Sequence, residues 1–302
     1  MTERNPVFDM MKGFAIFLMV LGHCQIHDSL HHVIYLFHIP MFFIVSGYFY
    51  KPKEGKTCLM SDLKRLIFPY SIFVTVVFLK FLVDAFRLDD FSTPIRFGKS
   101  ILTGNFGVGP IWFLLALFWC REIFNVLAKW KWGVPFAVFA SIVTGAFGLY
   151  VESSFGLSIG ISAMVFYALG FIWAKKMIVV NSAMAMICLA ISIAAFFLCG
   201  EMDVHTLVYP LYPLNVLGAL TSTLFLYWLF EKASLVPVFR NGLSFFGRSS
   251  LLLLGVHYAE FMLFDWYAKI PDATAVAVMR ILLDTLVTIG LSRLSIVKKI
   301  FF

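Results

Sequence analysis

Charge is scarce in this chain. Of its 302 residues only 14% are Asp, Glu, Lys or Arg, against about 25% in an ordinary soluble domain. Hydrophobic residues make up 61%, 35 of them Phe, and the mean hydropathy is +0.90. A soluble globular domain is thereby excluded, and so is a disordered chain, which needs polar composition. Cysteine is sparse as well. Cys24, Cys58, Cys120, Cys188 and Cys199 form no C-x-x-C, so a disulfide scaffold is excluded and the five read as packing residues. Glycine has no triplet period, which excludes collagen, and the apolar stretches lack the alternation of barrel strands, which excludes a β-barrel. No internal repeat, low-complexity tract or linker divides the chain, so residues 1–302 read as one transmembrane domain.

What is present is a series of long apolar runs. A helical crossing of a hydrocarbon core ~30 Å thick needs about 20 residues. Runs bounded by charge, Pro and Gly predict helices near 7–26, 33–50, 66–86, 108–128, 132–151, 157–174, 180–200, 207–230, 246–266 and 274–294. The fold class expected is an all-α integral membrane protein, a bundle of about ten transmembrane helices. The first run carries Asp9 and Lys12 and has no small-residue cleavage site, so it is expected to stay in the mature protein. Arg87 to Gly107 form the longest outer connection, long enough to act as a cap or entry loop.

The net charge of +7 raises the question of nucleic acid, but the positive-inside bias accounts for it. Arg87, Arg96, Lys99 and Lys269 lie in outer connections and Lys80 and Arg280 within spans; the other eighteen of the 24 basic residues fall on the side of the N-terminus. Both termini are therefore expected in the cytoplasm. No basic tract exceeds this bias, so no nucleic-acid partner is expected. The chain reads as a multi-pass protein of the cell (plasma or inner) membrane, in contact with membrane lipids.

Ionisable residues inside spans cost roughly 2.5–3.5 kcal/mol each at the bilayer centre. Lys80, Asp84, Glu260, Arg280 and Asp284 must therefore face protein or water. Lys80 with Asp84, and Arg280 with Asp284, stand four apart and are placed to pair on one helix face; His257 and Glu260, three apart, read more readily as site-lining. The first helix carries the most ordered pattern. Lys12 and His23 are eleven residues apart, and eleven steps of about 100° return to within ~20° of the start, with Asp9 within ~60° of both. At ~1.5 Å per residue this face spans roughly 16 Å. His38 precedes Pro40 in the second run, and Pro40 removes the hydrogen bond to the Leu36 carbonyl, a break tolerated in a membrane chiefly beside a buried or wet cavity. His27, His31 and His32 have ligand-like spacing, but no Cys or carboxylate completes a set, so no metal is expected.

Taken together, Asp9-Met10-Met11-Lys12-Gly13, then Gly22-His23, Phe37-His38-Ile39-Pro40-Met41-Phe42-Phe43 and Ser46-Gly47-Tyr48 resemble the opening signature of the acyltransferase-3 family of membrane acyltransferases. Lys64-Arg65-Leu66-Ile67-Phe68-Pro69-Tyr70 resembles the basic entry to that family's third helix. Trp112-Phe113-Leu114 resembles its W-F-L element, and Gly247 to His257 its late G-x-S to H segment. The resemblance spans most of the chain and implies ten core helices. It further implies O-acylation, usually O-acetylation, of an extracytoplasmic carbohydrate or lipid-linked glycan, with acetyl-CoA supplied from the cytoplasm. The short chain looks most like the sugar O-acetylase branch. One departure is Lys12, where many members carry Arg; Lys keeps the charge without the bidentate fork.

Transfer from a thioester to a hydroxyl needs a base, donors for the developing oxyanion, and a path for both reactants. The expected catalytic residues are His23 as general base, His38 orienting it or the acceptor, and Asp9 and Lys12 at the cytoplasmic end. Lys64 and Arg65, with Lys12, are candidate contacts for the acetyl-CoA phosphates. Trp112, His257, Tyr258 and Glu260 are candidate contacts for the acceptor, although an aromatic in so aromatic a chain is more often packing. No Ser or Cys sits in a nucleophile elbow, which favours direct attack. The competing class is a polytopic transporter or flippase of a glycan or small polar solute, in which the same buried charges would form a midplane site.

Overall fold

The computed structural model describes residues 5–103, 106–151 and 155–302. Arg4, counted above with the inner basic residues, and residues 104–105 of the long connection lie outside them. The described residues are helical almost throughout and contain no strand, only an isolated antiparallel bridge between Asp203 and Val208. In chain order the helices are α1 Pro6–Gly22, α2 Asp28–Tyr48, α3 Gly55–Asp62, α4 Phe68–Leu88, α5 Ser92–Thr103, α6 Trp112–Leu127, α7 Gly133–Ala146, α8 Leu157–Ser162, α9 Met164–Lys176, α10 Ser182–Leu198, α11 Tyr212–Ala233, α12 Pro237–Arg248, α13 Ser250–Leu263, α14 Ala273–Leu291 and α15 Ser295–Phe301.

Local chemistry sets several of these boundaries. Asn5 caps α1 by accepting from the Val7 N–H at 2.9 Å, with Pro6 at the first helical position, where its missing donor costs nothing. Asn181 and Asp272 cap α10 and α14 in the same way, accepting from Met184 and Ala275. Pro40 sits inside α2 without ending it. A π-helical turn, Leu63–Ile67, joins α3 to α4, so Gly55–Leu88 runs as one helical stretch.

Among the described residues, six helical stretches are long and apolar enough to cross a membrane: Asp28–Tyr48, Gly55–Leu88, Gly109–Leu127, Leu157–Lys176, Tyr212–Ala233 and Ala273–Leu291. Gly133–Ala146, Ser182–Leu198 and Ser250–Leu263 are apolar but shorter. All ten expected runs overlap helices, but six of them, and not ten, meet that length and apolarity; α1, α7, α10 and α13 are shorter. The run 157–174 is broken at Ala163 into α8 and α9, the run 207–230 becomes helical only at Tyr212, and 246–266 joins the last turn of α12 to α13 across Ser249. The connection after Arg87 is itself largely helical among the described residues, as α5 against α4.

Two helix pairs approach backbone to backbone through reciprocal glycine contacts. A Cβ on Gly13 of α1 would overlap the Leu243 carbonyl of α12, and one on Gly247 of α12 would overlap the Asp9 carbonyl of α1. Gly47 of α2 and Gly170 of α9 make the same reciprocal contact, with the Tyr167 and Ile44 carbonyls. Where lipid and side chain are equally apolar, such small-residue crossings carry the packing. They hold α1 and α2, which bear the polar stripe, in the centre of the bundle, around a core that includes Phe8, Met10, Phe43, Phe124, Phe166 and Tyr167.

Candidate active site

The stripe on α1 opens onto a cavity of about 340 Å³. Lys12, Ile16, Met19 and His23, at steps of four, three and four residues, form one wall. His38, Phe42 and Ser46 of α2, again four apart, form another, with Tyr35 and Phe49 beyond them. Trp112 and Phe113 of α6, Ser250 and Leu254 of α13, and residues 202–205 of the loop before α11 complete it. The cavity therefore extends from a lysine in the first half of α1 to the loop beyond the opposite end of that helix.

Both histidines are oriented by the same device. His23 Nδ1 lies 2.8 Å from the Met19 carbonyl, and His38 Nδ1 lies 2.8 Å from the Ile34 carbonyl. A carbonyl oxygen only accepts, so Nδ1 donates in each case, and the neutral ring keeps its lone pair on Nε2. His23 ends α1, with its own N–H shared between the Met19 and Val20 carbonyls at 3.2 Å each. An imidazole so tied has one free basic nitrogen and little rotational freedom, which is what proton abstraction needs.

At the end of the cavity near Lys12, the lysine Nζ pairs with buried Asp9 at 2.7 Å. Leu66, on the π-helical turn, lines the cavity, while Lys64 and Arg65 of the same turn face outward. Ser46 accepts from Arg121 Nη1 at 3.2 Å, and the same guanidinium forks onto Asp62, Nε to Oδ2 at 2.7 Å and Nη2 to Oδ1 at 2.9 Å. At the other end the His205 imidazole stacks on Trp112, with centroids 4.6 Å apart and planes 9° from parallel. Asp203, also lining the cavity, shapes the loop by accepting from the His205 N–H at 2.9 Å and from Thr206 Oγ1 at 2.8 Å. Burial pulls the His205 imidazole below its ordinary pKa against the opposing effect of the Asp203 carboxylate.

Behind the His23 wall lies a buried ionic cluster. Arg280 Nε donates to both Glu260 oxygens at 2.9 and 3.0 Å, and its Nη1 reaches the His23 carbonyl at 2.9 Å. His257 Nδ1 lies 2.9 Å from Asp284 Oδ2 and 3.5 Å from Glu260 Oε2, and its ring centroid is 5.3 Å from that of His23. The in-helix pair expected between Arg280 and Asp284 thus gives way to pairing between helices. Lys80 and Asp84 do pair along α4, on its exposed side. Of the residues expected to meet the acceptor, Trp112 lines the cavity. His257 and Glu260 sit in the cluster behind it, and Tyr258 is fully buried, its hydroxyl without a hydrogen-bond partner among the described residues.

Two groups of ligating side chains lie within 4.8 Å among the described residues: Cys58, Asp62 and Glu122, and His257, Glu260 and Asp284. Each already has a guanidinium on one of its carboxylates, Arg121 on Asp62 and Arg280 on Glu260, which supplies the positive charge a cation would bring. His27, His31 and His32 belong to neither group, and His31 bonds Glu201 at 2.9 Å. Ser46 stands in the opening signature with no role assigned to it, and Arg121, Asp62 and residues 202–205 are not among the expected site residues; of these, Arg121 has a signal in the sequence, as a basic residue within the apolar run 108–128.

Compared with known protein families, the chain matches the acyltransferase-3 model, described as an acyltransferase domain, over residues 5–292. No curated protein and no solved structure matches it.

Proposed function

The chain belongs to the acyltransferase-3 family, and on that premise we propose that it is a membrane O-acyltransferase moving an acetyl group from cytoplasmic acetyl-CoA to a hydroxyl of a carbohydrate or lipid-linked glycan. The observation that carries this reading is the cavity shared by Lys12 at one end, His23 and His38 along it, and Trp112, Asp203 and His205 at the other. Its volume of about 340 Å³ stands at the lower end of small-ligand sites, ~300–1,000 Å³. That suits a thioester arm and part of a sugar. A nucleotide must stay outside, where Lys64 and Arg65 are exposed beside the turn that contributes Leu66.

His23 Nε2 takes the proton from the acceptor hydroxyl as its oxygen attacks the thioester carbon. The tetrahedral oxyanion then collapses, the carbon–sulfur bond breaks, and the imidazolium returns the proton to the departing thiolate. Acyl ester and free thiol are the products, with no net change at His23. His38 Nε2, an acceptor in the tautomer its backbone bond dictates, receives a hydrogen bond from the sugar and orients it. Ser46 and Ser250 bring hydroxyl donors to the cavity wall. Trp112 offers the acceptor an indole face, and Asp9 holds the Lys12 ammonium at the donor end. The topology that goes with this is ten spans in the plasma or inner membrane with both termini cytoplasmic; the distribution of Lys and Arg supports the orientation, and six of the ten apolar runs are on helices long enough to cross.

Purified protein given acetyl-CoA and candidate glycans should release free thiol and form an acetyl ester. His23→Ala should lower that rate by about 10²–10⁴-fold, the range of a lost general base, with the folded protein retained. Most of the activity surviving in His23→Ala would remove His23 from the chemistry, and glycan flux without thiol release would favour a transporter.

A further inference from the structure

None of His257, Glu260, Arg280 and Asp284 lines the cavity, yet their cluster touches His23 twice. Arg280 Nη1 donates to the His23 main-chain carbonyl at 2.9 Å, and the His257 ring lies against the His23 ring. The carbonyl at the end of a helix has no partner in its own helix, and a positive charge there is favoured by the helix dipole. Arg280 supplies both bond and charge from α14, 257 residues away in sequence. Its guanidinium is itself fixed by the two bonds to Glu260 and by the Phe261 ring, 5.5 Å from its centre, and Phe261 in turn packs edge-on to His23 with centroids 5.7 Å apart. The side chains of Arg280, Glu260, His257 and Asp284 are all buried.

We propose that Arg280 is a positioning residue for His23: anchored by Glu260, it clamps the carbonyl at the end of α1 so that the imidazole stays aimed into the cavity. The proposal rests on the reading of His23 as general base and goes beyond it by assigning a task to residues that meet neither donor nor acceptor. Replacing the guanidinium releases the carbonyl and leaves the ring held by its Nδ1 bond and by its contacts with His257 and Phe261. Loss of alignment by about 1 Å in a catalytic group costs up to about 100-fold in rate. It leaves donor binding at the far end of the cavity unchanged.

The test is steady-state kinetics on the full-length protein in detergent, with thiol release as readout, for wild type, His23→Ala, Arg280→Met, Arg280→Lys and Glu260→Gln. The expected result is a kcat about 10- to 100-fold lower in Arg280→Met with the acetyl-CoA KM unchanged. Arg280→Lys should recover part of that loss, because an ammonium keeps the charge but not the planar fork that bonds Glu260 and the carbonyl from different nitrogens. Glu260→Gln should fall between Arg280→Met and wild type. A wild-type kcat in Arg280→Met overturns the proposal, as does a fall in kcat matched by an equal loss of folded protein. Should Arg280→Met not fold, Arg280→Lys decides: a lowered kcat at constant KM supports the clamp, and a wild-type kcat refutes it. If wild type and His23→Ala release thiol at the same rate, the assignment of His23 fails and the clamp falls with it, an outcome distinct from failure at Arg280 alone.

Discussion

Arg121→Met tests how far this bundle depends on a single buried ion pair. The guanidinium holds Asp62 through two parallel bonds of 2.7 and 2.9 Å, and the Asp62 side chain is only 1% exposed. Removing one partner of a buried pair typically costs 3–5 kcal/mol, because the other charge stays buried without compensation. Arg121 itself is 22% exposed, so water reaches one side of the pair and the lower end applies, about 3 kcal/mol, or roughly 100-fold in the folding equilibrium. Most of the cost belongs to the orphaned carboxylate rather than to a lost attraction. Asp62→Asn in the same chain should therefore recover the double variant to within about 1.5 kcal/mol of wild type. Denaturant or thermal unfolding in detergent, run as a double-mutant cycle, measures both quantities. An Arg121→Met protein within about 1 kcal/mol of wild type, or a double variant no more stable than the single one, would refute the reasoning. Because Arg121 also bonds Ser46 on the cavity wall, activity should fall along with stability.

Two further outcomes follow from the ends of the cavity. Lys64→Glu with Arg65→Glu should raise the acetyl-CoA KM several-fold at low ionic strength and much less at 0.5 M salt, since both side chains are exposed and exposed charges are screened; a KM indifferent to both changes would take the phosphates elsewhere. Trp112→Ala should raise the acceptor KM about five- to tenfold, for a loss of roughly 1 kcal/mol of aromatic contact, and leave the acetyl-CoA KM alone. His205 covers one face of that indole, so if the contact is made, His205→Ala should alter acceptor affinity in the same assay.

The helical runs were legible because lipid demands long unbroken apolar stretches. The alignment of Lys12 with His23 was legible because eleven residues close three turns, and the structure puts both on one wall of the cavity. The partner of Arg280 was not. Spacing along one helix points to Asp284, four residues on, but Glu260 on the facing helix accepts two bonds from Arg280 Nε, and Asp284 is left to His257. Spacing rules describe neighbours within a helix and are blind to a better-oriented acceptor on another. α12 was hidden for a different reason. Its Arg240, Asn241 and Arg248 break the apolar run that marks a span, yet Gly247 and Ser244 seat it directly on α1, with Ser244 Oγ donating to the Pro6 carbonyl at 3.3 Å.

Both ends of α1 are therefore fixed by elements remote in sequence. α12 meets its first turns through Gly13 and Gly247, and α14 holds its last carbonyl through Arg280. Between those anchors the helix presents Lys12, Ile16, Met19 and His23 to the cavity. A rigid helix turned about its own axis moves all four together, so the ammonium and the imidazole cannot be re-aimed independently. On the proposed reading, that coupling sets donor end and base in one register. The proposed clamp gives a task to the four ionisable groups buried behind His23, which meet neither reactant: holding the direction of one imidazole nitrogen.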